Sequence, residues 1–284
     1  MMADGTLKFV VNLYLGGAPY YDLDAEGYGR DDIRYYRRYA DRLAGALHGG
    51  KAERTSVLEL ACGTGRVSLP LAQAGFKVTG LDLSEAMLSV FAEKLEREPT
   101  STRERVSLFL GNMADFQLEH APFDLIIIPF RGFQALVETG DALTALNCMK
   151  RHLAPKGLCI IDIFAVAPFN RWLDDFQERI EWRRRDPGTG DEIVRARIAG
   201  ACDTRKQLIN PTTVYYVNHP DGRSERIEDR FTLRYYFQHQ METLLIASGF
   251  EIIEEFGDYL GAPIGAGAEQ LFVCGHLQKP KLLG

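Results

Sequence analysis

Several patterns that would assign this chain to a function are missing from it. Its five cysteines, at 62, 148, 159, 202 and 274, contain no C-x-x-C pair, and their odd number and wide scatter supply no disulfide framework. That usage fits a reducing compartment, where cysteine serves as a small buried apolar residue. The six histidines show no H-x-x-x-H or H-E-x-x-H helix spacing, so no metal site is expected. The 33 lysines and arginines are outnumbered by 39 acidic residues, and a formal net charge of -6 argues against a general nucleic-acid binder. No apolar run approaches the roughly 20 residues needed to span a bilayer. The N-terminus lacks the basic region and apolar core of a secretory signal. Internal repeats and low-complexity tracts are also absent. A soluble, cytoplasmic protein is expected, and 46% apolar residues give ample material for a core.

What the chain does have is a strand–helix alternation. Ile33, Tyr36, Ala40, Leu43 and Leu47 recur at spacings of 3 or 4 and predict a helix over 31–48, with Gly49-Gly50 after its end. Strands are expected over 57–61, 77–82 and 106–110, with helices over 66–74 and from Ser84, a capping residue, to about Arg97. Leu125-Ile126-Ile127-Ile128, ended by Pro129, reads as a strand buried on both faces. Leu143, Leu146, Met149 and Leu153 mark one face of the next helix, and Pro155-Lys156-Gly157 turns the chain into a strand over 158–164. This alternation implies a parallel, doubly wound sheet with right-handed crossovers.

The rhythm changes after that. Between 179 and 237, segments at 193–198, 212–217 and 231–237 are separated by turn signals and read as an antiparallel insertion. A helix over 241–248 and strands over 250–256 and 271–275 then complete a sheet of seven strands. The expected fold class is α/β, a doubly wound, seven-stranded, mostly parallel Rossmann-like sheet with an antiparallel β insertion. The expected division is 1–50 as N-terminal lid and helix, 51–178 as core, 179–237 as substrate-lid insertion and 238–284 as completion of the core sheet.

The strongest chemical signal is Val57-Leu58-Glu59-Leu60-Ala61-Cys62-Gly63-Thr64-Gly65-Arg66. Gly63 and Gly65 have no Cβ, so the backbone can take positive φ and come close to a ligand. Asp82 closes the next apolar run, about 20 residues on, where a carboxylate can accept from both ribose hydroxyls. Turn, carboxylate and strand order together point to a nucleoside site outside the carboxyl ends of the strands. Gly63-Thr64-Gly65-Arg66-Val67-Ser68 lacks the third small position of a dinucleotide fingerprint, and no G-K-[ST] of a P-loop follows.

Leu58 to Arg66, together with Thr79-Gly80-Leu81-Asp82-Leu83-Ser84-Glu85-Ala86-Met87-Leu88, resembles the class I S-adenosylmethionine-dependent methyltransferases. Among them it looks like the small-molecule type with an antiparallel insertion. The likeness covers residues 30–165 well and 231–275 more loosely. It implies S-adenosylmethionine as cofactor, S-adenosylhomocysteine as product, and a methyl acceptor at nitrogen, oxygen or activated carbon of a small molecule. Glu59, Ala61, Cys62, Gly63, Thr64, Gly65 and Arg66 would surround the methionine end. Asp82 would bind the ribose, and Leu83 and Met87 would flank the adenine. The family's Gly-Asp after the third strand reads Gly111-Asn112 here, so Asn112 would accept through its amide oxygen, beside Met113 and Ala114. Pro129, Phe130 and Arg131 would line the methyl-transfer chamber, and Tyr21 would fold over the cofactor.

The acceptor-side candidates are Arg131, Phe133, Gln134, Trp172, Tyr235, Tyr236 and His239. Arg131 would clamp an acidic group. Tyr235 and Tyr236 alternate on an expected strand, so one should face inward. His239, near a helix start, is the candidate base, and Arg131 and Tyr236 complete the expected catalytic set. Gln134 or Ala135 stands where some relatives carry a histidine. Arg183-Arg184-Arg185 reads as a solvated edge strand. The expected partner is a small-molecule acceptor, with no nucleic acid and no membrane, and a homodimer through the insertion is one option. The alternative function is a protein that binds S-adenosylmethionine for non-methyl chemistry or for regulation without turnover.

Overall fold

The computed structural model describes residues 14–25, 31–166 and 175–277. A short helix α1 (Tyr21–Ala25) precedes α2 (Asp31–His48), whose first turn carries Asp31 and Asp32 at the positive end of the helix dipole. Tyr35, Tyr36, Tyr39, Ala40 and Leu43 form the buried stripe of α2. Then come β1 (Ser56–Leu60), α3 (Ser68–Gln73), β2 (Lys77–Asp82), α4 (Glu85–Glu96), α5 (Thr100–Arg103) and β3 (Val106–Leu110). The Ser84 hydroxyl accepts from the Met87 N–H at 3.3 Å and caps α4 as expected. The core continues through β4 (Phe123–Ile128), α6 (Thr139–His152) and β5 (Leu153–Phe164).

All six residues of β4 are buried, the mark of a strand covered by helices on both faces. After the insertion, α7 (Gln238–Ala247), β13 (Phe250–Phe256) and β14 (Glu269–His276) close the domain. The sheet runs β13-β14-β5-β4-β1-β2-β3, parallel from β3 to β5 and antiparallel at β14 and β13. The chain leaves β1 toward β2 on one side and reaches β4 on the other, so a crevice opens at the carboxyl ends of β1 and β4.

The insertion comprises β6 (Arg179–Arg185), β7 (Glu192–Ile198), β8 (Cys202–Asp203), β9 (Leu208–Ile209), β10 (Thr212–Asn218), β11 (Ser224–Arg230) and β12 (Leu233–Arg234). These form a four-stranded sheet, β11-β10-β7-β6, and a small one, β12-β9-β8. Strand β11 was not expected, because Ser-Glu-Arg-Ile-Glu-Asp-Arg has one apolar residue in seven. It is an edge strand whose seven residues all pair with β10, so backbone pairing forms it without apolar alternation. Conversely, the stretch 231–237 yields only the two residues of β12. Tyr235 and Tyr236 lie beyond it, so strand alternation does not apply, and both are buried.

Two further expectations are corrected. Leu143 is exposed, and Ala142, Ala145, Leu146 and Met149 make the buried face of α6. Leu153 begins β5 instead of ending the helix, and Pro155-Lys156-Gly157 sits inside β5, where the register with β4 shifts between Phe123 and Leu125. Arg183 and Arg185 are exposed on edge strand β6, as expected, while the Arg184 guanidinium donates to the Leu23 carbonyl and stacks over Trp182 at 5.0 Å. Among the described residues, no helix is long and apolar enough to cross a membrane.

Candidate functional site

The crevice holds a cavity of about 590 Å³, within the range of small-molecule sites. Its floor is the turn after β1. Ala61, Gly63 and Gly65 all have positive φ, at 54°, 54° and 76°. The turn is tied to β2 by Cys62 N–H donating to the Leu81 carbonyl at 3.1 Å. Gly63 faces open space, so the backbone there is accessible to a ligand. Gly65 serves packing instead, since a Cβ on it would lie 2.4 Å from the Phe91 ring.

Asp82 ends β2 at the other side of the turn. Its Oδ2 accepts from Gly63 N–H at 2.7 Å and its Oδ1 from Ser84 N–H at 2.8 Å. One carboxylate therefore shapes the glycine turn, and with three backbone N–H donors on about four acceptor sites it keeps about one for a ligand in the cavity it lines. Burial raises its carboxyl above the ordinary value, against the backbone N–H groups of Ser84, Gly63 and Leu83. Glu59 is 3% exposed, and burial pushes its carboxyl up to about 8, opposed by the Ser68 hydroxyl it accepts from and by the Arg66 guanidinium. Arg66 pairs with Asp32 of α2 and lies over the Phe130 ring at 5.1 Å. The Cys62 thiol is buried and raised well above its ordinary value, so it is held as the thiol and not as a nucleophile.

An N-terminal strap crosses from core to insertion. Asp22 accepts from the Thr64 hydroxyl at 2.6 Å and from Lys94 Nζ at 2.6 Å, and the same ammonium donates to the Thr64 carbonyl at 2.8 Å. On the insertion side Tyr20 packs on Tyr215 at 5.6 Å, and Tyr14 packs on Phe231 at 4.8 Å. Tyr14 and Tyr21 meet edge to face at 5.5 Å, and both line the cavity. Burial, with the charges of nearby acids, raises the Tyr14 hydroxyl well above its usual 10, so it is neutral at physiological pH.

The opposite wall follows β4. Phe130 and Arg131 have φ of 49° and 70°, left-handed values rare for residues with side chains. Arg131 pairs with Glu269 at 2.9 Å, and burial pushes the Glu269 carboxyl up to about 7, against the pull of that guanidinium.

Of the residues singled out from sequence, Tyr21, Glu59, Ala61, Cys62, Gly63, Arg66, Asp82, Leu83, Met87, Asn112, Met113, Pro129, Phe130 and Arg131 all line this one cavity. Thr64 and Gly65 support it from behind. Ala114 is buried in the core, and its N–H donates at 2.9 Å to the Asn112 amide oxygen, so that oxygen keeps one lone pair for a ligand. Phe133 is a core residue packed on Tyr236 at 5.8 Å. Gln134 is fully buried and links core to insertion, accepting from Phe164 N–H at 3.0 Å and donating to the Arg234 carbonyl at 3.1 Å.

Tyr235 packs with Phe164 and Ile209, away from the cavity lining. His239 is exposed and stacks on Phe237 at 5.9 Å, outside the lining residues. Trp172 lies outside the described residues. Sequence reasoning missed Tyr14 and the insertion's share of the wall: Asn210, Thr212, Arg230, Phe231, Thr232 and Leu233. An aromatic near the N-terminus was a usable signal for Tyr14. The insertion residues carry no motif, and only the fold brings them to the crevice.

The seven-stranded sheet, with the glycine turn after β1 and the Asp82 carboxylate beside it, forms the kind of crevice in which open α/β sheets hold their ligands. Residues 57–157 match the family described as methyltransferase domain. The putative methyltransferase YqeM of Bacillus subtilis (strain 168) is 25% identical over 249 residues, covering 85% of this chain and 92% of that protein. A demethylmenaquinone methyltransferase of Staphylococcus aureus is 35% identical over 114 residues, 39% of this chain and 44% of its own length. In fold, the chain is similar to the sugar N-methyltransferase KedS8 from Streptoalloteichus sp ATCC 53650. The TM-score is 0.67 at 22% identity, covering 98% of this chain and 100% of that one. Residues 57–157 therefore carry a methyltransferase domain, and the chain has the fold of the S-adenosylmethionine-dependent methyltransferases.

Proposed function

We propose that this protein methylates a nitrogen atom of a small-molecule acceptor, which enters between the Phe130–Arg131 turn and the insertion. One observation carries the reading: a single cavity runs from the glycine turn and Asp82, past Pro129–Arg131, to Asn210, Phe231 and Thr232 of the insertion. The lining fits the cofactor. Gly63 offers an open approach, Asp82 retains acceptor capacity for the ribose hydroxyls, Leu83 and Met87 stand where an adenine would be flanked, and Glu59 and Arg66 lie toward the methionine end. The bound cofactor supplies an electrophilic methyl group.

The protein's own task is then to align the acceptor, exclude water and receive the acceptor in a reactive state. Among the described residues lining the cavity, the carboxylates are Glu59 and Asp82, both in the cofactor half, and the acceptor half offers Tyr14, Tyr21, Arg131 and Arg230. With Tyr14 held neutral and no histidine or carboxylate on that side, an amine that arrives as the free base suits the site better than an unactivated hydroxyl. The similarly folded KedS8 is a sugar N-methyltransferase, which supports the same reading. Arg131 serves as wall and clamp, with Glu269 holding it in place. The strap and residues 179–237 act as the lid over a core within 51–178, completed by 238–284. Five free cysteines, four of them buried, support a reducing, cytoplasmic setting.

The experiment is a paired one. Calorimetry with S-adenosylmethionine, S-adenosylhomocysteine and NAD should show binding of the first two only. Release of S-adenosylhomocysteine should then follow addition of aminosugars or other primary and secondary amines, and not of the matching alcohols. Preferential NAD binding would sink the cofactor assignment, and turnover confined to alcohols would sink the amine assignment. Binding with no turnover on any acceptor would favour the regulatory alternative.

A further inference from the structure

The Phe130–Arg131 turn forms the wall at the transfer chamber, yet nothing in its own sequence favours two successive left-handed residues that bear large side chains. Such a backbone persists only where its surroundings dictate it. The surroundings here converge on Asp162, on β5, a fully buried carboxylate that does not line the cavity. Its Oδ2 accepts from Phe130 N–H at 3.0 Å, from the Tyr36 hydroxyl of α2 at 3.0 Å, and from the Tyr259 hydroxyl. Its Oδ1 has no hydrogen-bond partner among the described residues. A carboxylate without solvent is costly, and the position would suit an apolar residue were packing its only role. The three donors come from different places: α2, the turn after β4, and the loop joining β13 to β14.

We propose that Asp162 is a positioning residue: with Tyr36 and Tyr259 as its support, it anchors Phe130 N–H and so holds the Phe130–Arg131 turn in the conformation that faces the transfer chamber. Glu269 completes the grip from the side, holding the Arg131 guanidinium at 2.9 Å while Arg131 lies over the Phe130 ring at 5.4 Å. The turn is thus fixed twice, through its backbone by one acid and through its side chain by another. The consequence for function rests on the methyl-transfer reading of the cavity, whereas the anchoring itself does not.

The test uses Asp162→Ala and Asp162→Asn, each in the natural background and with Phe130→Gly, where glycine adopts the left-handed backbone without an anchor. Hydrogen exchange at the residue 130 amide reads the bond with no ligand present; in the natural background Asp162→Ala should speed it at least tenfold and Asp162→Asn two- to fivefold. Unchanged exchange overturns the proposal, whether or not the protein takes S-adenosylhomocysteine. Calorimetric Kd for S-adenosylhomocysteine should rise at least tenfold for Asp162→Ala. Asp162→Asn, which keeps an acceptor oxygen, should raise it two- to fivefold. Both losses should fall below twofold in the Phe130→Gly background, because glycine needs no anchor there, whereas a purely structural role would cost the same in either. Equal losses in the two backgrounds overturn the proposal. If Asp162→Ala does not fold, the Asp162→Asn cycle decides alone. If the natural protein binds no S-adenosylhomocysteine, the functional reading fails and the exchange measurement still decides the anchoring.

Discussion

Glu59→Gln is the most direct probe of the electrostatics under the glycine turn. The side chain keeps its size and can still accept from the Ser68 hydroxyl, so the substitution removes the titration and little else. Burial holds the Glu59 carboxyl at about 8 in the folded protein, against 4.5 ordinarily. Between those values the folded state keeps a proton that the unfolded chain gives up. The resulting stability is fully present below pH 4.5 and is lost as pH rises through about 8. At about 1.36 kcal/mol for each pH unit in that window, the whole effect is about 5 kcal/mol as an upper bound. Urea unfolding at pH 5.5 and 8.5 samples most of it. The natural protein should lose about 3 kcal/mol relative to Glu59→Gln between the two conditions. Asp162 and Glu269 are also raised by burial, but they are present in both proteins and cancel in the difference. If the stabilities of the two proteins stay parallel with pH, Glu59 titrates as an ordinary carboxyl and the account of the turn fails. The opposite sign would mean that Arg66, not burial, dominates.

Three more outcomes are expected. Asp82→Ala should weaken S-adenosylmethionine binding by about 1–3 kcal/mol, roughly five- to 150-fold in Kd, because two N–H anchors of the turn go with the ligand contacts; calorimetry showing an unchanged Kd in a folded variant would remove Asp82 from the site. Gly65→Ala should destabilise the fold by about 2–5 kcal/mol in denaturant titration, from positive φ plus a Cβ against Phe91; a loss below about 0.5 kcal/mol would show that the turn has room after all. His219 is raised from 6.5 by its hydrogen bond to Asp191 and its neighbour Glu225, so what it adds to stability is present below pH 6.5 and lost as pH rises through the folded value. Its imidazole should titrate above 6.5 by NMR, and a midpoint below that would contradict the pairing.

The core was legible in the chain because its signals are local. A helix face repeats every three or four residues, a strand covered by helices is a run such as Leu125 to Ile128, and Gly63, Gly65 and Asp82 occupy turns where only a few residue types fit. The insertion was harder to read because pairing partners supplied what its sequence lacked. Ser224–Arg230 is a strand because β10 offers it seven partners, and Tyr235 and Tyr236 are buried by neighbours and not by strand alternation. His239 looked like a base on the page and is a surface residue in the fold.

The succession of strands and helices, the glycine turn and the acid that ends β2 follow from residues close together along the chain, where backbone sterics and periodicity act directly. The insertion's share of the cavity wall, the strap held by Asp22 and Lys94, and the grip of Asp162 on Phe130 each join segments dozens of residues apart. Those contacts have no spacing to read, since burial and the demand of buried polar groups for partners act only once the chain is packed.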